Sequence, residues 1–204
     1  MMAESKSIAR PDLIILTGVS GVGKSTFATR LATDIGAHLI EGDDYHSPAS
    51  ISRMRRGLPL CDDDRWPWLE AIAVAANAAA SQNAASRVVI SCSALKRSYR
   101  DHLVTCCEAV PFFVQLNAPR AVVAHRLANR TGHFFNASLL DSQFDDLELS
   151  GHDARHCLID AAGDASTVYA AIRQALPDRK LLYPACPDSD ADAVLPDDLM
   201  CRTT

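Results

Sequence analysis

Residues Gly18-Val19-Ser20-Gly21-Val22-Gly23-Lys24-Ser25 constrain this chain more than any other stretch. They match G-x-x-x-x-G-K-[ST], the signature of a phosphate-cradling loop. The flanks fit as well. Residues 12–17 (DLIILT) read as a buried strand, and residues 25–36 place Phe27, Leu31 and Ile35 at helical spacing before a terminal glycine. Glycines let backbone N–H groups turn inward around phosphate oxygens, and the helix adds its positive dipole end. The segment from Gly18 through Thr26 is therefore the expected nucleotide site. Lys24 reaches the β- and γ-phosphates and Ser25 offers a hydroxyl to Mg²⁺. The motif does not by itself separate a kinase from a GTPase or a motor.

The rest of the chain alternates short apolar runs with helical patterns. Strands are expected at 37–41, 87–95, 111–117 and within 155–161. Helices are expected at 47–57, opened by Ser47-Pro48, and at 66–82, 96–104, 119–130, 137–148 and 165–176. Strands that are apolar throughout, separated by helices, predict a parallel sheet covered on both faces. No internal repeat is visible.

Composition narrows the function classes. With 48% hydrophobic and 22% charged residues the chain is an ordinary globular one. A net charge of −5 and 6% aromatics argue against a nucleic-acid footprint. There is no apolar run of membrane-spanning length, and residues 1–11 lack the apolar core of a signal peptide. Residues 186–204 hold five aspartates against one arginine and carry −4 of the net charge. The expected organisation is thus an N-terminal extension (1–11), one domain (12–177) and an acidic, disordered tail (178–204). Seven cysteines, an odd count without a C-x-x-C, indicate a reduced, cytoplasmic setting. His152 and His156 lie four apart, as surface histidines on one helix face would.

Three polar clusters are candidates for an acceptor site. The second strand ends in Glu41-Gly42-Asp43-Asp44-Tyr45-His46, and in α/β sheets such strand ends face the ligand crevice. A carboxylate there suits proton abstraction from an acceptor hydroxyl, or a share in holding Mg²⁺; for Asp44 a solvated turn serves equally. Next, Arg53, Arg55 and Arg56 precede Gly57-Leu58-Pro59-Leu60 and Cys61-Asp62-Asp63-Asp64-Arg65-Trp66-Pro67-Trp68. Mixed charges beside two tryptophans suggest a polar pocket with a rigid wall, suited to a small, hydroxylated, anionic acceptor. The third strand leads into Ser91-Cys92-Ser93-Ala94-Leu95-Lys96-Arg97, with Tyr99 and Arg100 beyond. Cations at a helix start call for an anion. Finally, Arg126 and Arg130 lie one turn apart before Thr131-Gly132-His133-Phe134-Phe135-Asn136, a pattern suited to a cover over a transferring phosphoryl group. Capping of a helix C-terminus is the other reading of these two arginines.

In their order, GVSGVGKS, EGDDYH, GLPLCDDDRWPWL, CSALKRSYRD, and RLANRTGHFF followed by SQFDDLE, this chain resembles the gluconokinases of the small P-loop type. The resemblance runs from about Leu13 to Leu176. It implies a P-loop NTPase of nucleoside-monophosphate-kinase-like α/β fold, a five-stranded parallel sheet flanked by helices with a lid at about 126–137. It further implies transfer of the ATP γ-phosphoryl group to the 6-hydroxyl of D-gluconate, giving 6-phosphogluconate for the pentose phosphate pathway, and ADP. Carried onto these residues, Lys24 and Ser25 serve phosphate and Mg²⁺, and Asp43 meets the acceptor hydroxyl. His46, Arg53, Lys96, Arg97 and Arg100 become gluconate contacts. Arg126, Arg130 and His133 belong to the lid, and adenine lies near 159–164. Small kinases of this type often form homodimers. Cys61 and Ser47 depart from the usual pattern without removing a functional group. A shikimate kinase and a non-catalytic ATP-binding regulator are the alternatives.

Overall fold

A computed structural model describes residues 13–82, 87–129, 137–151 and 155–177. The apolar runs become strands closed off from water on both faces. β1 (Leu13–Thr17) and β3 (Val88–Ser91) are buried at every position, and β4 (Pro111–Asn117) at all but its last. With β2 (His38–Glu41) and β5 (His156–Asp160) they form one parallel sheet of order β2-β3-β1-β4-β5. The five-stranded parallel sheet expected from the resemblance is present.

Side chains alternate across β1, so the sheet has two cores. Ile14 and Leu16 pack with Phe27 and Leu31 of α1 (Lys24–Ile35), Val123 of α5 (Arg120–Ala128) and Ile172 of α7 (Ala165–Ala175). Leu13 and Ile15 pack with Leu69 and Ile72 of α3 (Asp62–Ser81) and Leu103 of α4 (Arg97–Cys106). Each fully buried aliphatic side chain contributes about 1.5–3 kcal/mol. Two further helices, α2 (Pro48–Arg55) and α6 (Ala137–Asp145), contribute residues at the sheet's C-terminal end.

Three local expectations need correction. α3 begins at Asp62, not at residue 66. Asp62, Asp63 and Asp64 occupy its first turn, where carboxylates favour the helix dipole, and Asp64 Oδ2 accepts from the Cys61 N–H at 3.0 Å. The acidic run is therefore a helix start, and Arg65 and Trp68 of the same stretch line a cavity. β3 stops at Ser91, because Cys92 to Leu95 turn aside to lie against the phosphate loop. His156 sits on β5, stacked on Phe113 at 5.0 Å, rather than on a helix. The N-terminal extension, the acidic tail, His152, Arg130, His133 and most of the expected lid fall outside the described residues. No described helix is long and apolar enough to cross a membrane.

Candidate active site

The strand order reverses at β1, with β3 on one side and β4 on the other, and the phosphate loop leaves β1 there. Gly18 has φ +131°, and a Cβ on it would stand 2.4 Å from the Leu116 carbonyl oxygen. Only glycine lets the chain turn there. The Gly18 N–H donates to Ser93 O at 3.2 Å and Lys24 Nζ to Val19 O at 3.2 Å. α1 has no side-chain cap and no acidic residue in its first turn. Its positive end faces a cavity of about 590 Å³ lined by Ser20 through Phe27. Ser25 Oγ lies 3.4 Å from Ser91 Oγ.

Arg126 lines the far wall of this cavity, with Leu127, Gly163 and Ala165. Its guanidinium donates to Val22 O at 3.4 Å, Ala162 O at 3.3 Å and Gly163 O at 3.2 Å. It thereby ties α5 to the loop after β5, beside the stretch where adenine is expected.

A second cavity of about 350 Å³ opens next to the first. The two share Ser20, Lys24 and Asp43. Among the described residues, Asp43 is the only carboxylate lining either of them. It stands on a single 3-10 turn, Gly42–Tyr45, immediately after β2. Gly42 permits this placement. A Cβ there would stand 2.7 Å from the Ser91 carbonyl oxygen, and its own carbonyl accepts from Trp68 Nε1 at 2.7 Å.

His46 also lines the second cavity, its ring stacked on Trp68 at 4.4 Å and 12°. Burial lowers its pKa, Asp43 pulls it back up and Arg65 adds to the lowering. The imidazole is therefore neutral at neutral pH, and its Nδ1 is buried without a partner among the described residues. The proton is bound less readily in the native state than in the unfolded chain, whose histidine titrates near about 6.5. The stability this provides is complete above that value and is lost as pH falls through it toward the native pKa. We expect Tm to drop further between pH 7.5 and 5.5 in the wild type than in His46→Gln. Equal drops in a pH-resolved melting series would contradict the burial account.

The basic residues sort unexpectedly. Arg65, singled out by no sequence reading, lines the second cavity. Its Nη1 donates to Tyr99 Oη at 2.6 Å and Asp146 Oδ2 at 2.8 Å, while Nε and Nη2 have no partner among the described residues. Burial works against its charge, yet Asp146 and Tyr99 hold its pKa above the ordinary value. A signal existed: Arg65, Trp68 and Leu69 share one helix face, and the other two are buried. Gln143 and Ser142 of α6 were missed too.

Four expected contacts line neither cavity. Arg53 donates through Nε to Pro59 O at 2.9 Å, closing the turn after α2, whereas Arg55, on another face of the helix, does line the second cavity. Lys96 is held by Asp62 at 2.9 Å and Asp146 at 3.4 Å, and its pKa is raised chiefly by the Asp62 hydrogen bond. The Arg97 side chain is exposed and pairs with Asp101 at 3.6 Å. Arg100 is 3% exposed; it donates to Ala94 O at 3.1 Å, Leu95 O at 2.8 Å and Glu148 O at 3.1 Å. Ala94 has φ +32°, so Arg100 braces a strained turn beside the phosphate loop. Arg100→Ala should destabilise the fold by about 3 kcal/mol, roughly 10 °C in Tm, with the acceptor KM of the folded enzyme unchanged. A raised KM at unaltered Tm would restore Arg100 to the acceptor site.

A phosphate loop, a carboxylate at the junction and a second cavity of mixed polar and apolar side chains define a small-molecule kinase on a P-loop fold. Residues 13–149 match the AAA domain family. A probable gluconokinase of Saccharomyces cerevisiae is 43% identical over 155 residues, covering 73% of this chain and 80% of that protein. A gluconokinase of Gluconobacter oxydans is 43% identical over 152 residues, covering 74% and 83%. The crystal structure of a gluconokinase from Sinorhizobium meliloti superposes with a TM-score of 0.71 at 41% identity, covering 82% of this chain and 91% of that one. The chain belongs to the gluconokinase family.

Proposed function

We propose that this chain transfers the γ-phosphoryl group of ATP to the 6-hydroxyl of D-gluconate, giving 6-phosphogluconate and ADP, in the cytoplasm. The position of Asp43 where the two cavities meet carries this reading. ATP phosphates lie along the loop and the α1 N-terminus, with Lys24 on the β- and γ-phosphates. Ser25 is the residue that would hold Mg²⁺, whose charge offsets that of the phosphate oxygens. Hydroxyl oxygens and the Asp43 carboxylate suit Mg²⁺, which keeps several waters and takes its other ligands from phosphate. Asp43 accepts the proton of the acceptor hydroxyl as the oxygen attacks phosphorus. Arg65 offers Nε and Nη2 to the gluconate carboxylate, and neutral His46 offers Nδ1 to a sugar hydroxyl. All five described cysteines are free, as a reducing compartment requires.

Neither a shikimate kinase nor a non-catalytic regulator is favoured by the relatives. An ADP-release assay with Mg-ATP and D-gluconate, shikimate, glycerate or AMP tests the reading. Turnover with gluconate alone is expected. Turnover with another acceptor would keep the phosphate site and overturn the assignment of the second cavity. Tight ATP binding without turnover on any acceptor would favour the regulator.

A further inference from the structure

The side-chain amide of Gln143 grips the phosphate loop at two points. Its Oε1 accepts from the Ser20 N–H at 2.6 Å and its Nε2 donates to Ser20 Oγ at 3.1 Å. The two bonds have opposite polarity and fix the orientation of the amide. Ser20 borders both cavities, whereas Gln143 borders only the second. Three residues on, Asp146 holds Arg65 at 2.8 Å and Lys96 at 3.4 Å. The Asp146 N–H donates to Ser142 O at 3.1 Å, so Gln143 and Asp146 belong to one continuous turn. In the middle of α6, Asp141 accepts from Arg120 Nε of α5 at 2.8 Å, and α5 carries Arg126 on the wall of the nucleotide cavity.

We propose that Gln143 is a positioning residue through which occupancy of the acceptor cavity is transmitted to the phosphate loop. The inference rests on the reading of Arg65 as the group that meets the acceptor's carboxylate. An acceptor that draws on Arg65 shifts the charge balance at Asp146. Asp146 and Gln143 move as one turn, and Gln143 sets where the Ser20 N–H points at the junction of the cavities. Filling one cavity then changes affinity in the other, and the change is the same in both directions.

Calorimetric titration of the full chain with the Mg²⁺ complex of β,γ-methylene-ATP, with and without saturating D-gluconate, tests this. The wild type is expected to bind the nucleotide about fivefold or more tightly with gluconate present. In Gln143→Ala this factor, taken as the ratio of the variant's own affinities with and without gluconate, should fall below about twofold. Gln143→Glu still offers an oxygen to the Ser20 N–H and should keep part of the factor. Loss of the two Ser20 bonds should lower the melting temperature; should Gln143→Ala fail to fold, Gln143→Glu must still show a reduced factor. An undiminished factor in Gln143→Ala, or no factor in a wild type that binds both ligands, overturns the proposal. If another acceptor of the panel binds in place of gluconate, the assigned function fails, and the same titration with that acceptor decides the role of Gln143. Binding of no acceptor at all overturns both.

Discussion

Asp43→Asn should lower kcat by roughly 10²- to 10⁴-fold, the usual weight of a positioned general base. The amide is the same size and still accepts a hydrogen bond, but it is not a useful base for an alcohol proton. The backbone of the 3-10 turn is held independently by Gly42 against Ser91 and by the Trp68 indole on the Gly42 carbonyl, so the substitution should leave the turn in place. Nucleotide affinity should change by less than about threefold, because the loop and α1 supply the phosphate contacts. Single-turnover rates with a parallel binding titration separate the two quantities. An unchanged kcat would remove Asp43 from proton transfer. A lost nucleotide affinity at unchanged kcat would make it a Mg²⁺ group instead.

Arg65→Lys should raise the acceptor KM by roughly 10- to 100-fold, the range expected when a paired, charge-assisted contact to a carboxylate is lost. Lysine keeps the charge, and its ammonium can still pair with Asp146, so Tm should move little. It cannot offer the planar fork that Nε and Nη2 present. The ATP KM should stay within about twofold, since Arg65 does not border the nucleotide cavity. D-glucitol, which lacks the carboxylate, gives the control. It should be a poor acceptor for the wild type and should suffer no further loss in Arg65→Lys. Equal penalties for gluconate and glucitol would show that Arg65 acts on the fold of the cavity and not on the carboxylate.

Much of this was legible in the chain, for reasons that are local. Phe27, Leu31 and Ile35 fall on one side of α1 because a helix repeats every 3.6 residues. LIILT reads as a strand covered on both faces because Leu13 to Leu16 are aliphatic on both sides of the pleat. Ser47 was read as a helix cap, and its Oγ accepts from the Ser50 N–H at 3.0 Å. The start of α3 was misplaced because three aspartates look like a solvated run, although their charges suit a helix N-terminus equally well. Among the basic residues, the sequence singles out His46 and names Arg65 only within a mixed-charge run, and both line the second cavity.

The sequence by itself determined the phosphate loop, the alternation of strand and helix, the family, and Asp43 as the carboxylate to watch. Each rests on residues close together in the chain, where spacing alone fixes geometry. Only the tertiary structure decided which cations are available to a ligand. Arg100 is taken up by carbonyls as far away as Glu148, and Lys96 by Asp62, 34 residues distant. Arg65 meets Asp146 across 81 residues and still keeps two nitrogens unpartnered among the described residues. A positive charge reads the same in the sequence whether its partner is a substrate or the protein's own backbone. Burial and direction separate the two, and both arise from contacts between distant parts of the chain.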